Sequence, residues 1–171
     1  VLELVYALRA PLVMDEFNYA HHVYEYTRMI PHRDFTPGKT VLGFYIQSLP
    51  LYLTDAPWMG LMLIKSWMAV INTSFLALMA WLLLKHYRKE AILLGLLLLV
   101  PMSTWLERSS AIRVDTMTGL FGVVSLLMLM RGRPILAGVL CTTSFLVSQK
   151  AAYYVLAGAA ARTAFMSASS A

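Results

Sequence analysis

Three short polar segments interrupt an otherwise apolar chain, and they carry the residue types that could do chemistry. They are Asp15-Glu16, the run from Glu107-Arg108 to Arg113-Val114-Asp115, and Ser148-Gln149-Lys150. A carboxylate at an apolar boundary is suited to take a proton from a hydroxyl or amine nucleophile. Lys or Arg is suited to hold a phosphate oxygen by charge-assisted hydrogen bonds. Each segment also has a plainer reading. Asp15 and Glu16 are what a helix start favours, a capping Asp followed by a first-turn acid, although a capping Asp can still serve as a base. Arg113 and Asp115 could be an exposed pair worth under about 1 kcal/mol. Yet Asp115 opens an apolar stretch, where ionisable residues are expensive and mark function by default. Lys150 reads either as a snorkelling side chain or as a phosphate-binding cation.

Composition says what must position these groups. Of 171 residues, 59% are hydrophobic and 13% charged, against about 25% charged in soluble domains. The mean hydropathy of +0.65 and the long apolar blocks indicate an all-α integral membrane protein, a polytopic helical bundle. The net charge is +5, but the basic residues sit at span ends rather than interleaved with aromatics, so no nucleic-acid partner is expected. The single cysteine, Cys141, excludes an intramolecular disulfide and a thiol metal cluster. Adjacent His21 and His22 diverge by about 100° on a helix, so at most one could join Asp15 and His32, and no divalent metal site is expected. Glycine-rich phosphate loops, serine elbows and dinucleotide-binding patterns are missing from the sequence, so no nucleotide cofactor is expected.

Taken in order, residues 1–8 are expected to end a span begun upstream. Residues 9–56 form an outer loop with juxtamembrane helices. Within it, 15–30 reads as an amphipathic helix lying in the interface, with Ala20, Val23, Tyr24, Thr27 and Ile30 on one face. Tyr19, Tyr24 and Tyr26 are expected at headgroup level, and Pro31 ends the helix. Residues 41–53, interrupted by Gly43, Gln47 and Pro50, form a second interfacial or re-entrant segment. The bundle proper occupies 57–162, with spans near 57–84, 91–106, 116–130, 134–149 and 151–162. Lys65, inside the first of these, is read as snorkelling. The tail 163–171 closes no structure, and the whole is expected to be part of a longer chain.

Orientation follows from Lys and Arg counts in the loops. The loop 85–89 holds Lys85, Arg88 and Lys89, and the loop 131–133 holds two arginines and no acid. Both should face the cytoplasm, so alternation of spans carries Asp15, Asp115 and Lys150 to the outer side. The short spans 91–106 and 116–130 fit a site that dips below the headgroups.

The ordered set Asp15-Glu16, His32-Arg33-Asp34-Phe35-Thr36-Pro37-Gly38-Lys39-Thr40, Arg113-Val114-Asp115 and Ser148-Gln149-Lys150 resembles the GT-C membrane glycosyltransferases. Within them it is closest to the branch of protein O-mannosyltransferases and lipid A aminoarabinose transferases, in their N-terminal portion. The resemblance implies a GT-C-like fold and a polyprenyl-phosphate sugar donor. It also implies a site on the extracytoplasmic face, periplasmic in a bacterium or lumenal in the endoplasmic reticulum of a eukaryote. Asp15 would be the general base, Glu16 its support, Asp115 a second acidic residue, and Lys150, Arg113 and Arg33 the contacts to the donor phosphate. The acceptor, whether protein, lipid or glycan, is left open. A phosphate leaving group is already a stabilised anion, so the reaction needs one base and cations rather than the acid–base pair of a glycosidase. The alternative is a non-catalytic GT-C-like subunit of a larger membrane complex.

Overall fold

A computed structural model describes residues 2–9, 14–37 and 41–169, with 161–169 described by their backbone alone. Gly38, Lys39 and Thr40 of the loop singled out above lie outside these residues, as do 170 and 171. Regular structure among the described residues is helical, apart from one isolated bridge between Pro31 and Phe35. The all-α expectation therefore holds. Among the described residues, one helix is long and apolar enough to cross a membrane, or two if a bent pair is counted as one span.

That helix, α4 (Pro57–Leu83), is the axis of the fold. Pro57 starts it, where the missing N–H leaves nothing unsatisfied, and its 27 residues give it a length of about 40 Å. Gly60, Ile64, Met68, Asn72 and Leu76 recur at four-residue spacing and are buried. Two apolar clusters form along the fold. One gathers Tyr19, Val23, Tyr26, Phe44, Ile64, Met68, Ile112, Val114, Met117 and Val147; the other, at the far end, gathers Leu82, Val124, Met128 and Ala137.

Helix α1 (Leu2–Arg9) packs against α4. Helix α2 (Met14–Arg28) stops two residues before the expected end, and its buried face is Glu16, Tyr19, Ala20, Val23 and Tyr26. Two of the tyrosines expected at headgroup level, Tyr19 and Tyr26, are thus core residues. The Tyr26 ring is wedged against Phe35, Phe44 and Tyr45. Burial, then Tyr45 and Glu25, push its hydroxyl up to about 12. The Tyr24 hydroxyl donates to the Pro57 carbonyl at 2.9 Å, tying α2 to the start of α4. Burial raises its pKa as well, against the opposing charge of Arg28.

Helix α3 (Val41–Ser48) and a 3-10 segment, Leu49–Leu53, fold over the first half of α4. Trp67 Nε1 donates to the Ile46 carbonyl at 2.9 Å, and Gln47 Nε2 reaches Met68 Sδ at 3.4 Å. Lys65 lies in this half of α4. It does not snorkel; it is 1% exposed.

The expected continuous span 91–106 is broken. Helix α5 (Lys89–Leu99) and helix α6 (Ser103–Ser110) meet at 79°. Pro101, between them, has no N–H to continue the ladder and disfavours helix in the residue before it. The expected polar turn 107–115 is therefore largely helix, with the turn confined to 111–113. Helix α6 packs on α1 and α4. Asn72 Nδ2 donates to the Ser109 carbonyl, and buried Glu3 accepts from Trp105 Nε1 at 2.6 Å and from the Thr73 hydroxyl.

Helices α7 (Val114–Met130) and α8 (Pro134–Val147) form a close antiparallel pair. Ser125 Oγ donates to the Ala137 carbonyl and Ser144 Oγ to the Thr118 carbonyl, each at 2.8 Å. Such interhelical hydrogen bonds contribute about 0.6 kcal/mol on average in membrane bundles. A 3-10 turn, Gln149–Ala151, leads into α9 (Ala152–Ser169), which stays helical through most of the expected tail. The Tyr154 ring lies flat on Gly122 of α7, where any β-carbon would overlap it.

Candidate functional site

The site is built where α2 and α7 begin and α8 ends. Asp15 lies in the first turn of α2 and Asp115 in the first turn of α7, the positions a helix dipole favours for acids. Arg113 is the extended residue that caps α7. Lys150 lies in the 3-10 turn after α8, where the Ser148 hydroxyl accepts from its backbone N–H at 3.4 Å.

Arg113 is the hub. Its Nη1 is 4.0 Å from Asp15 Oδ2 and its Nη2 is 3.6 Å from Asp115 Oδ2. The Lys150 ammonium donates to the same Asp115 oxygen at 2.7 Å. Three segments far apart in sequence, with Lys150 35 residues beyond Asp115, therefore meet at one polar cluster of two carboxylates and two cations. The groups differ in access. The side chains of Asp15 and Lys150 are 72% and 60% exposed, whereas Arg113 and Asp115 are mostly covered. Two buried polar atoms, Arg113 Nε and Asp115 Oδ1, have no hydrogen-bond partner among the described residues. Tyr26 Oη, Gln47 Oε1 and Asn72 Oδ1, away from the cluster, are unpartnered among the described residues too, so an unpartnered atom does not by itself single out the site.

Glu16 points elsewhere. It is 3% exposed, and its Oε1 accepts from the Ile112 backbone N–H at 3.1 Å. The bond links the first turn of α2 to the residue before Arg113. Expected as a catalytic residue in support of Asp15, Glu16 is buried and holds the Ile112 N–H. The same turn is closed by the Arg113 N–H, which donates to the Ala111 carbonyl at 2.8 Å. The Arg113 guanidinium also sits 5.9 Å from the centre of the Tyr19 ring, a cation–π geometry. Tyr19 was missed as a site residue, although it lies four residues from Asp15 and so on the same face of α2.

Gly43 of α3 sets how closely these pieces approach. A β-carbon there would fall 2.6 Å from Val114 Cγ1 and 3.1 Å from the Val147 carbonyl oxygen. The missing side chain lets α3 press on the first residue of α7 and the last of α8 together.

Arg33 is not part of the cluster. It bonds Asp34 through Nε at 2.8 Å and Nη2 at 2.9 Å, and among the described residues it makes no ion pair with the site. Asp34 in turn accepts from the Ile30 N–H at 2.7 Å. The Arg33 hydrogen bond, then that of Ile30, hold the Asp34 carboxyl down at about 2, and the same pairing raises Arg33. The loop is a self-contained knot, with His32 in the left-handed region at φ 64°. His21 and His22 share Glu25, at 3.4 and 2.8 Å, and no three of His, Cys, Asp and Glu among the described residues gather as a metal would need.

Comparison with known proteins identifies no relative from which to read a role for these residues. No family model matches the chain, and no curated protein or solved structure shows significant similarity to it.

Proposed function

We propose that the chain is a multi-pass membrane glycosyltransferase of GT-C type that moves a sugar from a polyprenyl-phosphate donor to an acceptor on the extracytoplasmic side. The observation that carries this reading is the Asp15–Arg113–Asp115–Lys150 cluster: an exposed carboxylate beside two cations at one end of an apolar bundle.

A bilayer setting is supported by the surface. Helix α5 buries none of its residues and leaves Leu93, Leu94, Leu97 and Leu98 exposed. Trp58, Val70, Trp81, Ile135, Val139, Phe145, Val155 and Leu156 are exposed on the other long helices. So much contiguous apolar surface is unfavourable in water and ordinary in lipid. Helices α7 and α8, at 17 and 14 residues, are short of the roughly 20 residues a span needs. Their polar ends, which include the site, would then sit inside the headgroup region.

In this mechanism Arg113 and Lys150 take the phosphate oxygens of the donor. Lys150, the exposed partner of that pair, leaves Asp115 to do so, and the phosphate replaces the carboxylate as its counter-charge. The acceptor hydroxyl or amine attacks the anomeric carbon from the face opposite the phosphate. The carbon–oxygen bond to phosphate breaks with its electron pair, the lipid phosphate leaves, and the anomeric centre inverts. Asp15 takes the acceptor proton. The reading is tested by Asp15→Asn in reconstituted protein. Loss of a general base costs about 10²- to 10⁴-fold in rate, with insertion and unfolding unchanged. Transfer at the wild-type rate would remove Asp15 as the base.

A further inference from the structure

The end of the bundle opposite the site carries a feature the transfer reaction does not use. Two loops meet there that lie far apart in sequence. The Arg131 guanidinium donates to the Leu82 carbonyl and stacks 5.8 Å from the centre of the Trp81 ring. This holds the loop 131–133 against the C-terminal end of α4 and the segment 84–89 that follows it. Together they bring Lys85, Arg88, Lys89, Arg131 and Arg133 to one rim, with Glu90 the single acid beside them. Arg88 and Glu90 are 3.8 Å apart and exposed, so they neutralise each other weakly.

The plain reading is that these cations complement the negative C-terminal ends of α4 and α7. Arg131 is used that way. Lys85, Lys89 and Arg133 are exposed and bond no side chain among the described residues. Exposed Trp81, Leu84, Tyr87, Met130 and Ile135 surround them, giving the rim the aromatic and basic make-up of a membrane–water interface. We propose that this rim is a binding surface for the anionic headgroups of phospholipids in the adjoining leaflet. It rests on the bilayer reading above and is independent of the catalytic one. Clustered Lys and Arg at a membrane surface attract acidic lipid, each by about fivefold in preference.

The test is lipid retention by the detergent-solubilised protein, offered equal phosphatidylglycerol and phosphatidylcholine and read by native mass spectrometry. The wild type should keep phosphatidylglycerol over phosphatidylcholine by about tenfold or more, and Lys85→Gln/Arg88→Gln/Lys89→Gln, which leaves Arg131 and Arg133, should show a preference at least about fivefold weaker than the wild type. Arg88→Lys/Arg133→Lys should retain the preference, as should Arg28→Gln, which removes an exposed cation of α2. Equal retention of both lipids by a wild type that inserts into bilayers overturns the proposal and leaves the bilayer reading standing. A wild type that fails to insert overturns both. A triple variant as selective as the wild type also overturns the proposal.

Discussion

Gly43→Ala tests whether packing and site are coupled as described. Alanine favours helix over glycine by about 1 kcal/mol. Against that, its β-carbon would stand 2.6 Å from Val114 Cγ1 and 3.1 Å from the Val147 carbonyl oxygen. Backbone at Val147 cannot turn aside, and Val114 is fully buried, so α3 must lift. Overpacking of this kind costs about 1–3 kcal/mol, leaving a net loss of up to about 2 kcal/mol. Val114→Ala alone removes two buried methyl-sized groups, for about 1.6 kcal/mol by transfer. In the double variant Cγ1 is gone and only the 3.1 Å contacts remain. The two losses should therefore not add; the double variant should be more stable than their sum by about 1 kcal/mol. Denaturant unfolding of all four proteins in one detergent measures this. Because Val114 stands between Arg113 and Asp115, donor turnover should fall in Gly43→Ala and recover in part in the double variant. Additivity within about 0.3–0.5 kcal/mol would mean that α3 does not press on the start of α7, and the packing account of the site would fail.

Further outcomes are expected. Glu3→Ala leaves Trp105 Nε1 without its acceptor, while the Thr73 hydroxyl keeps the Ala69 carbonyl, so it should destabilise by about 1–3 kcal/mol and shift Trp105 fluorescence. His32→Gly relieves a left-handed backbone that costs other residues about 1–2 kcal/mol; unfolding should show a gain, less the added chain entropy, whereas His32→Val should lose stability. Asp34 is held below its ordinary pKa, so the contribution of its pairing is fully present above pH 4 and is lost as pH falls toward about 2. The backbone resonances of 30–35 should move in that window, and Asp34→Asn should abolish the transition.

The convergence of Asp15, Asp115 and Lys150 was legible because it needs only the alternation of helices between polar loops, and the basic loops at 85–89 and 131–133 fix that alternation. The approximate limits of α4, α7 and α8 were legible for the same reason, since long apolar runs end at charges and at Pro57 and Pro134. What failed was depth and facing. Lys65 looked like a snorkelling residue because its position in α4 was legible, whereas its burial is set by tertiary packing. Glu16 and Tyr19 turn inward because Ile112 and Arg113 arrive beneath them, a tertiary fact with no local pattern. The break between α5 and α6 was readable; Pro101 stood inside a run taken as one helix, and apolar content outweighed it. Arg33 was placed at the site by resemblance, whereas its neighbour Asp34 satisfies it within the loop.

The most direct measurement is the affinity of the protein in nanodiscs for polyprenyl phosphate, followed by tryptophan fluorescence. If Arg113 and Lys150 hold the lipid phosphate, Arg113→Gln and Lys150→Gln should each weaken binding by about tenfold or more, the loss of a charge-assisted hydrogen bond, while Asp15→Asn binds as the wild type does. Wild-type affinity in both cation variants would contradict the assignment of this cluster as a phosphate site.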